Sequence, residues 1–400
     1  MKIAFLTSGG NAPCLFASIG RLLHNYSNLD SIELIGYRNG FSGLLKGESE
    51  IFLLSNFSNS NFEAYYDFGG SPIGNSRVKL TNRQDCIDRK LIQEGEDPLE
   101  IAANQLMNDK VDILHTIGGD DTNTTAKDLC SFIKSNGLDI TIVGIPKTID
   151  NDIFPVKRSL GAYTAAEAGA RYFSNIVNEN NMSSSHLIIH EIMGRNSGWL
   201  AAKTADYYCN IAEEKKQKIK IADSLAFYNP KRFDIHGLYI PETLVSFDDE
   251  IDRLQRIIKD IGCINIFVSE GAFIKEISRQ VESDGSLIDK DAFGHIKLDS
   301  INTGKWLSDI ISKDIEIDRV LIQKSGYFSR SSAPNKSDLD YIFKVCDFAF
   351  DNALKSNSGV VGEDERTGEL SCIDFNEIRG DKGLDINSKW FLDLVSRIEN

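Results

Sequence analysis

The chain has 400 residues, 41% of them hydrophobic, and a formal net charge of −15 at neutral pH. That charge repels polyanions at long range and argues against nucleic acid or an anionic membrane as partner, while the length predicts two α/β domains with ample core. Seven scattered cysteines without a close pair, no zinc pattern, no leader-like start and no apolar run of about 18 residues read as a soluble, cytoplasmic protein with reduced thiols.

Residues 2–7 form a buried-type strand that runs into Ser8-Gly9-Gly10-Asn11-Ala12-Pro13, with Pro13 placed to open a helix to about His24. Paired glycines let a backbone approach phosphate oxygens, although the same pair also makes a bare strand-to-helix connection. Residues 33–38 are a further strand, followed by a turn region at Gly40 and Gly43. The glycine-rich loop 69–77 ends at Arg77, whose planar guanidinium suits phosphate oxygens and equally suits a solvated surface. Arg83, Asp85, Arg89 and Lys90 read as a solvated face.

The apolar run 113–117 stops at Gly118-Gly119-Asp120-Asp121, and residues 122–133 then show helical spacing, with Ala126, Leu129, Cys130 and Ile133 on one face. A β-branched run, 140–145, ends at Pro146 and leads into Lys147-Thr148-Ile149-Asp150-Asn151-Asp152. Ligands in open α/β sheets sit beyond the carboxyl ends of strands, so Asp120, Asp121, Lys147, Asp150 and Asp152 are expected to converge on one site. Glycines and a helix N-terminus suit phosphate. Asp120 offers a hard oxygen to Mg²⁺, Lys147 adds a point charge and Asp150 suits a hydroxyl proton, which together describe phosphoryl transfer. Each fragment alone also reads as a capped turn or an Asx-turn.

Residues 162–177 predict a helix with small residues inward, and the first domain crossing is placed near residue 155. The strand 186–192 delivers Met193-Gly194-Arg195; its His186 and His190 read as packed residues. A helix follows over 196–205, and the mixed charge run 213–218 reads as solvated surface. A short strand over 238–242, a periodic helix over 249–261 and a strand over 263–268 lead to Ser269-Glu270-Gly271. Residues 281–297 suggest a hairpin or turn-rich connection; a strand at 319–323 precedes Gly326-Tyr327-Phe328-Ser329-Arg330. A long helix over 336–354, a turn-rich stretch over 359–385 and a closing helix over 388–398 complete the chain.

Gly118-Gly119-Asp120-Asp121-Thr122 and the run from Pro146 to Asp152 resemble the signatures of the phosphofructokinase family. The likeness is closest to its pyrophosphate-dependent branch, in which Asp and Lys stand where ATP-using members usually carry Gly. Thr7-Ser8-Gly9-Gly10, Met193-Gly194-Arg195, Ser269-Glu270-Gly271 and the segment from Gly326 to Arg330 extend it over most of the chain. Asn11, Cys14 and Phe16 depart from the commoner pattern of Asp, Gly and Asn, which argues against a nucleotide contact from that helix.

The resemblance implies an α/β fold of two Rossmann-like three-layer domains with the active site in the cleft between them. Residues 1–155 would bind donor phosphate and Mg²⁺, residues 156–325 the sugar phosphate, and residues 326–400 would return across both. It implies reversible transfer from pyrophosphate to the 1-hydroxyl of fructose 6-phosphate, giving fructose 1,6-bisphosphate and phosphate, by a homodimer or homotetramer. Gly10, Arg77 and Lys147 would contact the donor and Asp120 the metal. Asp150 would take the hydroxyl proton, with Thr148 and Asp152 holding the sugar. Met193, Gly194, Arg195, Glu270, Tyr327 and Arg330 would bind fructose 6-phosphate. Asp121 would repel the α-phosphate of ATP, which pyrophosphate lacks. An ATP-dependent 6-phosphofructokinase and a non-catalytic regulatory subunit of the same fold are the alternative readings.

Overall fold

The structure is a computed structural model that describes residues 1–53, 59–182, 184–221, 229–283 and 301–399. The chain divides into two units, Met1–Thr164 with Arg330–Lys382, and Ala165–Ser329 with Gly383–Asn400. Along the described residues the strands are β1 (Lys2–Thr7), β2 (Glu33–Tyr37), β3 (Ser49–Ile51), β4 (Ile113–Gly118), β5 (Thr141–Pro146), β6 (His186–Ile192), β7 (Gly237–Tyr239), β8 (Cys263–Ser269), β9 (Arg319–Lys324), β10 (Gly359–Glu363) and β11 (Leu370–Ile373).

The first unit holds a seven-stranded sheet in the order β11-β10-β5-β4-β1-β2-β3. Its strands run parallel except for β3 and β11, which pair antiparallel at the two edges. Strands β4 and β5 are buried at every residue, as apolar runs covered on both faces must be. The chain lays β2 on one side of β1 and later β4 on the other, so the strand order reverses between β1 and β4. Thr7 stands opposite Ile117, and Gly118 opposite Pro146. The carboxyl ends of β1, β4 and β5 are therefore level, and the turns that follow them start in one row at the switch point, where α/β sheets bind ligands. Helix Asp120–Ser135 packs Ala126, Leu129 and Ile133 into the core beside Leu6, Leu114 and Ile142.

A buried ionic staple secures this unit. Asp338 is fully buried, pairs with Arg158 at 2.6 Å, and accepts from the backbone N–H and hydroxyl of Thr164 at 2.8 and 2.6 Å. The Arg158 guanidinium lies over the rings of Tyr163 and Tyr341, at 4.3 and 4.6 Å from their centroids.

The second unit holds a parallel four-stranded sheet in the order β7-β8-β6-β9. Helices Phe247–Ile261 and Thr303–Asp314 supply Leu254, Ile258, Leu307 and Ile311 to a core with Leu187 and Ile264. Ile192 stands opposite Ser269, and Glu191 opposite Lys324, so β6, β8 and β9 also end level. His190 is a core residue: it stacks on Phe173 and its Nε2 is 2.8 Å from the Ser325 hydroxyl.

Several elements differ from expectation. The first helix is Leu15–Tyr26 with Cys14 as its N-cap, so Pro13 precedes the helix instead of opening it. Helix Trp199–Ile221 carries the charge run 213–218 within it. Residues 281–283 belong to helix Ile274–Ser283, and the remainder of the expected hairpin, from residue 284, lies outside the described residues. The stretch 359–385, expected to be turns, supplies β10 and β11, because Gly359 and Val360 pair with Val143 and Gly144 of β5, far away in sequence. Among the described residues no helix is long and apolar enough to cross a membrane.

Candidate active site

The turn after β1 gathers positive charge. Gly9 has φ +85°, open to glycine, and a Cβ there would lie 3.3 Å from Lys147 Nζ. A Cβ on Gly10 would come to 2.5 Å from Arg330 Nη2 and 3.8 Å from Arg77 Nη2. The Lys147 ammonium donates to the Gly10 carbonyl at 2.6 Å, and Arg330 Nε donates to the Asn11 carbonyl at 3.1 Å. Loop 69–77 is stitched to the same turn: the Ser8 hydroxyl and the Gly9 N–H both donate to the Ser76 carbonyl at 2.9 Å, and the Thr7 hydroxyl donates to the Gly74 carbonyl at 2.7 Å. Three cations around one glycine turn make an anion site. Lys147 is only 2% exposed, and its pKa is pushed down to about 8, by burial first, with Arg330 and Arg77 adding to the effect and Asp150 opposing it. A bound anion would reverse that cost.

The turn after β4 gathers negative charge. Gly119 caps helix Asp120–Ser135, which carries Asp120 and Asp121 in its first turn. The Asp120 carboxyl is pushed up to about 6, by burial first and then by Asp121, Asp152 and Asp381, with Lys79 opposing. A Cβ on Gly380 would come within 2.5 Å of Asp120 Oδ2, so the segment before Asp381 approaches this carboxylate as only glycine permits. Lys79 Nζ lies 3.4 Å from Asp121 Oδ1. No three His, Cys, Asp or Glu side chains among the described residues form a cage for a metal. Mg²⁺ commonly takes one or two carboxylates and completes its shell with water and substrate phosphate. Asp120, whose charge is unfavourable without a nearby cation, fits that role.

The loop after β5 is closed at its base by the Leu160 N–H donating to the Pro146 carbonyl at 3.0 Å. Asn151, 3% exposed and at φ +52°, pins its middle: it accepts from the Ser159 N–H at 2.8 Å and donates to the Lys157 carbonyl at 3.3 Å. The Thr148 hydroxyl accepts from the Asp150 N–H at 3.1 Å, and the Asp152 carbonyl accepts from the Lys382 N–H at 3.1 Å. Thr148, Asp150 and Asp152 thus sit on a loop that begins at Lys147.

In the second unit, Met193, Gly194 and Arg195 follow β6 and Glu270 follows the adjacent β8. Glu270 Oε1 accepts from the N–H groups of Gly194 at 3.2 Å and Arg195 at 3.3 Å. Burial raises the Glu270 pKa, and those two donors oppose the rise. Arg195 adopts φ +48°, and a Cβ on Gly271 would fall 1.5 Å from the Arg195 carbonyl oxygen, so the turn requires glycine at 271. Met193 packs over Gly326, where a Cβ would lie 2.5 Å from its Cε. Tyr327, after β9, is 77% exposed.

The structure thus groups Gly10, Arg77 and Lys147, and groups Met193, Gly194, Arg195 and Glu270. Arg330, expected to bind fructose 6-phosphate with Tyr327, has its guanidinium at Gly10 and Asn11, on the turn that also holds Lys147. Lys79, Asn151, Gly380 and Asp381 were not singled out. Only Asn151, inside the acidic motif, carried a local signal; the others reach the site through contacts distant in sequence.

A phosphofructokinase family model matches residues 2–346. The chain is 47% identical over 399 residues to the pyrophosphate–fructose 6-phosphate 1-phosphotransferase of Methylotuvimicrobium alcaliphilum, covering 99% of this chain and 96% of that one. It is 46% identical to the protein of the same name from Propionibacterium freudenreichii, covering 99% and 97%. The fold is similar to that of the pyrophosphate-dependent phosphofructokinase from Marinobacter aquaeolei, with a TM-score of 0.69 at 18% identity, covering 100% of this chain and 91% of that one.

Proposed function

The chain belongs to the phosphofructokinase family, and from that premise we propose the reaction and the part each residue plays in it. The protein transfers a phosphoryl group reversibly from pyrophosphate to the 1-hydroxyl of fructose 6-phosphate, giving fructose 1,6-bisphosphate and phosphate. Two observations support the donor assignment together: Asp121 stands on the helix turn beside Asp120, with Lys79 as its ion-pair partner, and a buried Lys147 is held against Gly10. A carboxylate at 121 repels the additional phosphate of a nucleotide, while the cations around Gly10 suit a compact, highly charged anion.

Phosphoryl transfer passes through a loose transition state, so positioning and charge stabilisation supply most of the catalysis. Lys147, Arg77 and Arg330 orient the donor and balance charge on its oxygens. Asp150 accepts the proton of the 1-hydroxyl as its oxygen bonds to phosphorus and the bond to the leaving phosphate breaks. Thr148 fixes the backbone of Asp150 and, with Asp152, holds the sugar. Enzymes of this kind use a divalent metal, which we assign as Mg²⁺ on Asp120, where it would neutralise donor oxygens. Arg195 and Tyr327 bind the sugar phosphate together with Met193 and Gly194, and the Glu270 oxygen not used by the turn accepts a sugar hydroxyl. We assign donor binding to the first unit and binding of the sugar's phosphate to the second. A cytoplasmic location accords with seven unpaired thiols, and a homodimer or homotetramer completes the proposal.

The test is the initial velocity of fructose 1,6-bisphosphate formation from fructose 6-phosphate and Mg²⁺, with pyrophosphate and ATP supplied separately. Turnover with pyrophosphate and little with ATP is expected. Turnover with ATP alone overturns the donor assignment, and none with either overturns the reaction.

A further inference from the structure

The turn that carries Met193, Gly194 and Arg195 is held at two places. At its start, Glu270 Oε1 accepts the N–H groups of Gly194 and Arg195. Inside it, the Ser197 N–H closes onto the Gly194 carbonyl at 2.8 Å. At its end stands a second carboxylate, Glu242, which lies in the short segment after β7.

Glu242 accepts the Gly198 N–H with both oxygens, Oε1 at 2.9 Å and Oε2 at 3.0 Å. A Cβ on Gly198 would come to 2.5 Å from both Glu242 Oε2 and Ile240 Cβ, so the carboxylate is seated where only glycine admits it. Gly198 immediately precedes helix Trp199–Ile221, whose N-terminal N–H groups favour an anion. Glu242 Oε1 also accepts the Leu384 N–H at 2.8 Å. Leu384 opens the segment that ends in helix Lys389–Glu399, and this segment runs along the same helix: Lys203 Nζ lies 4.7 Å from the Trp390 ring centroid, and Arg397 lies 3.3 Å from Asp206.

We propose that Glu242 is a positioning residue for fructose 6-phosphate: its carboxylate fixes the end of the Met193–Ser197 turn at Gly198 and ties the C-terminal segment, through Leu384, to the geometry of the sugar-phosphate site. The inference rests on the assignment of that turn to fructose 6-phosphate. Glu242 itself touches no substrate. It acts because Arg195, held at φ +48°, keeps its aim only while both ends of the turn are fixed.

The experiment measures kcat, both KM values and fructose 6-phosphate protection against thermal unfolding in the wild type, Glu242→Ala, Glu242→Gln and Leu384→Pro. Loss of a hydrogen bond to a charged group predicts a KM for fructose 6-phosphate raised about tenfold or more in Glu242→Ala, with protection weakened in parallel. The KM for pyrophosphate should change less than about twofold, since its contacts lie on other turns. Glu242→Gln, whose amide oxygen still accepts both N–H groups, should recover most of the loss. Leu384→Pro, which removes one donor, should raise only the fructose 6-phosphate KM, by about threefold. A lowered melting temperature with unchanged fructose 6-phosphate KM, or an equal rise in both KM values, overturns the proposal. Should Glu242→Ala fail to fold, Leu384→Pro decides by the same criteria. Absence of wild-type turnover overturns the assigned reaction instead, so the two failures are distinct.

Discussion

The Lys147 ammonium donates to the Gly10 carbonyl at 2.6 Å, while the backbone N–H of Lys147 donates to the Gly118 carbonyl at 2.8 Å. One residue therefore ties together the turns that follow β1, β4 and β5. It holds a buried positive charge among them, and the burial sets the pH range of that charge.

The Lys147 pKa in the folded protein, about 8, lies below its ordinary value of 10.5. The unfolded chain binds the additional proton between those limits, so the buried cation costs stability at lower pH and the cost fades as pH rises through that window. The catalytic charge fades with it. The kcat/KM for pyrophosphate should fall as pH rises through about 8, and Lys147→Met should lose about a thousandfold in rate. A profile that stays flat well above that pH would sink the assignment.

Asp120 titrates in the opposite sense. Its folded pKa of about 6 exceeds the ordinary 3.8, so the folded protein keeps a proton that the unfolded chain releases, and stability falls as pH rises between those values. A bound divalent cation removes that penalty. With pyrophosphate present, Mg²⁺ should raise the melting temperature at pH 7.5 and do so much less at pH 5. Asp120→Asn should melt higher than the wild type without metal and show no Mg²⁺-dependent shift. Wild-type melting that ignores Mg²⁺ at pH 7.5 counts against Asp120 as the ligand.

Asp150→Asn tests proton transfer. The variant keeps its shape and its backbone bond to Thr148 but cannot take a proton, so kcat should fall by about 10²–10⁴ with little change in either KM. Unaltered turnover removes Asp150 from that role.

Donor choice is tested by the double variant Asp121→Gly with Lys147→Gly. It should weaken pyrophosphate use and admit some ATP. Because Lys147 is buried, this variant should also melt lower than Asp121→Gly alone. Pyrophosphate kinetics equal to wild type would refute the donor argument.

Asp338→Ala should cost about 3–5 kcal/mol in chemical denaturation, because it leaves the part-buried Arg158 charge and both Thr164 donors without their shared acceptor. A loss below about 1 kcal/mol would show that the staple contributes little.

The main strands were legible because β1, β4, β5, β6 and β8 are continuous apolar runs that end at glycine, proline or polar motifs. Their motifs put Gly10, Asp120, Lys147, Arg195 and Glu270 at strand ends. Strands β10 and β11 were not legible, since a few apolar residues among turn formers become a strand only when β5 offers an edge. The contributions of Asp381 and Gly380 at Asp120, and of Lys79 at Asp121, arise from chain segments distant in sequence, which periodicity cannot register. The Arg330 placement shows the same limit: its motif was visible, but the glycine turn against which it lies was not specified by that motif.

The placement of β10 and β11 also orders the birth of the protein on the ribosome. Among the described residues, the strands of the four-stranded sheet all lie between His186 and Lys324, whereas the sheet that contains β1 lacks one flank until Ile373 has been made. Strands β6 to β9 can therefore close their sheet while β5 still exposes its edge, an unpaired surface that invites wrong partners until β10 has been made.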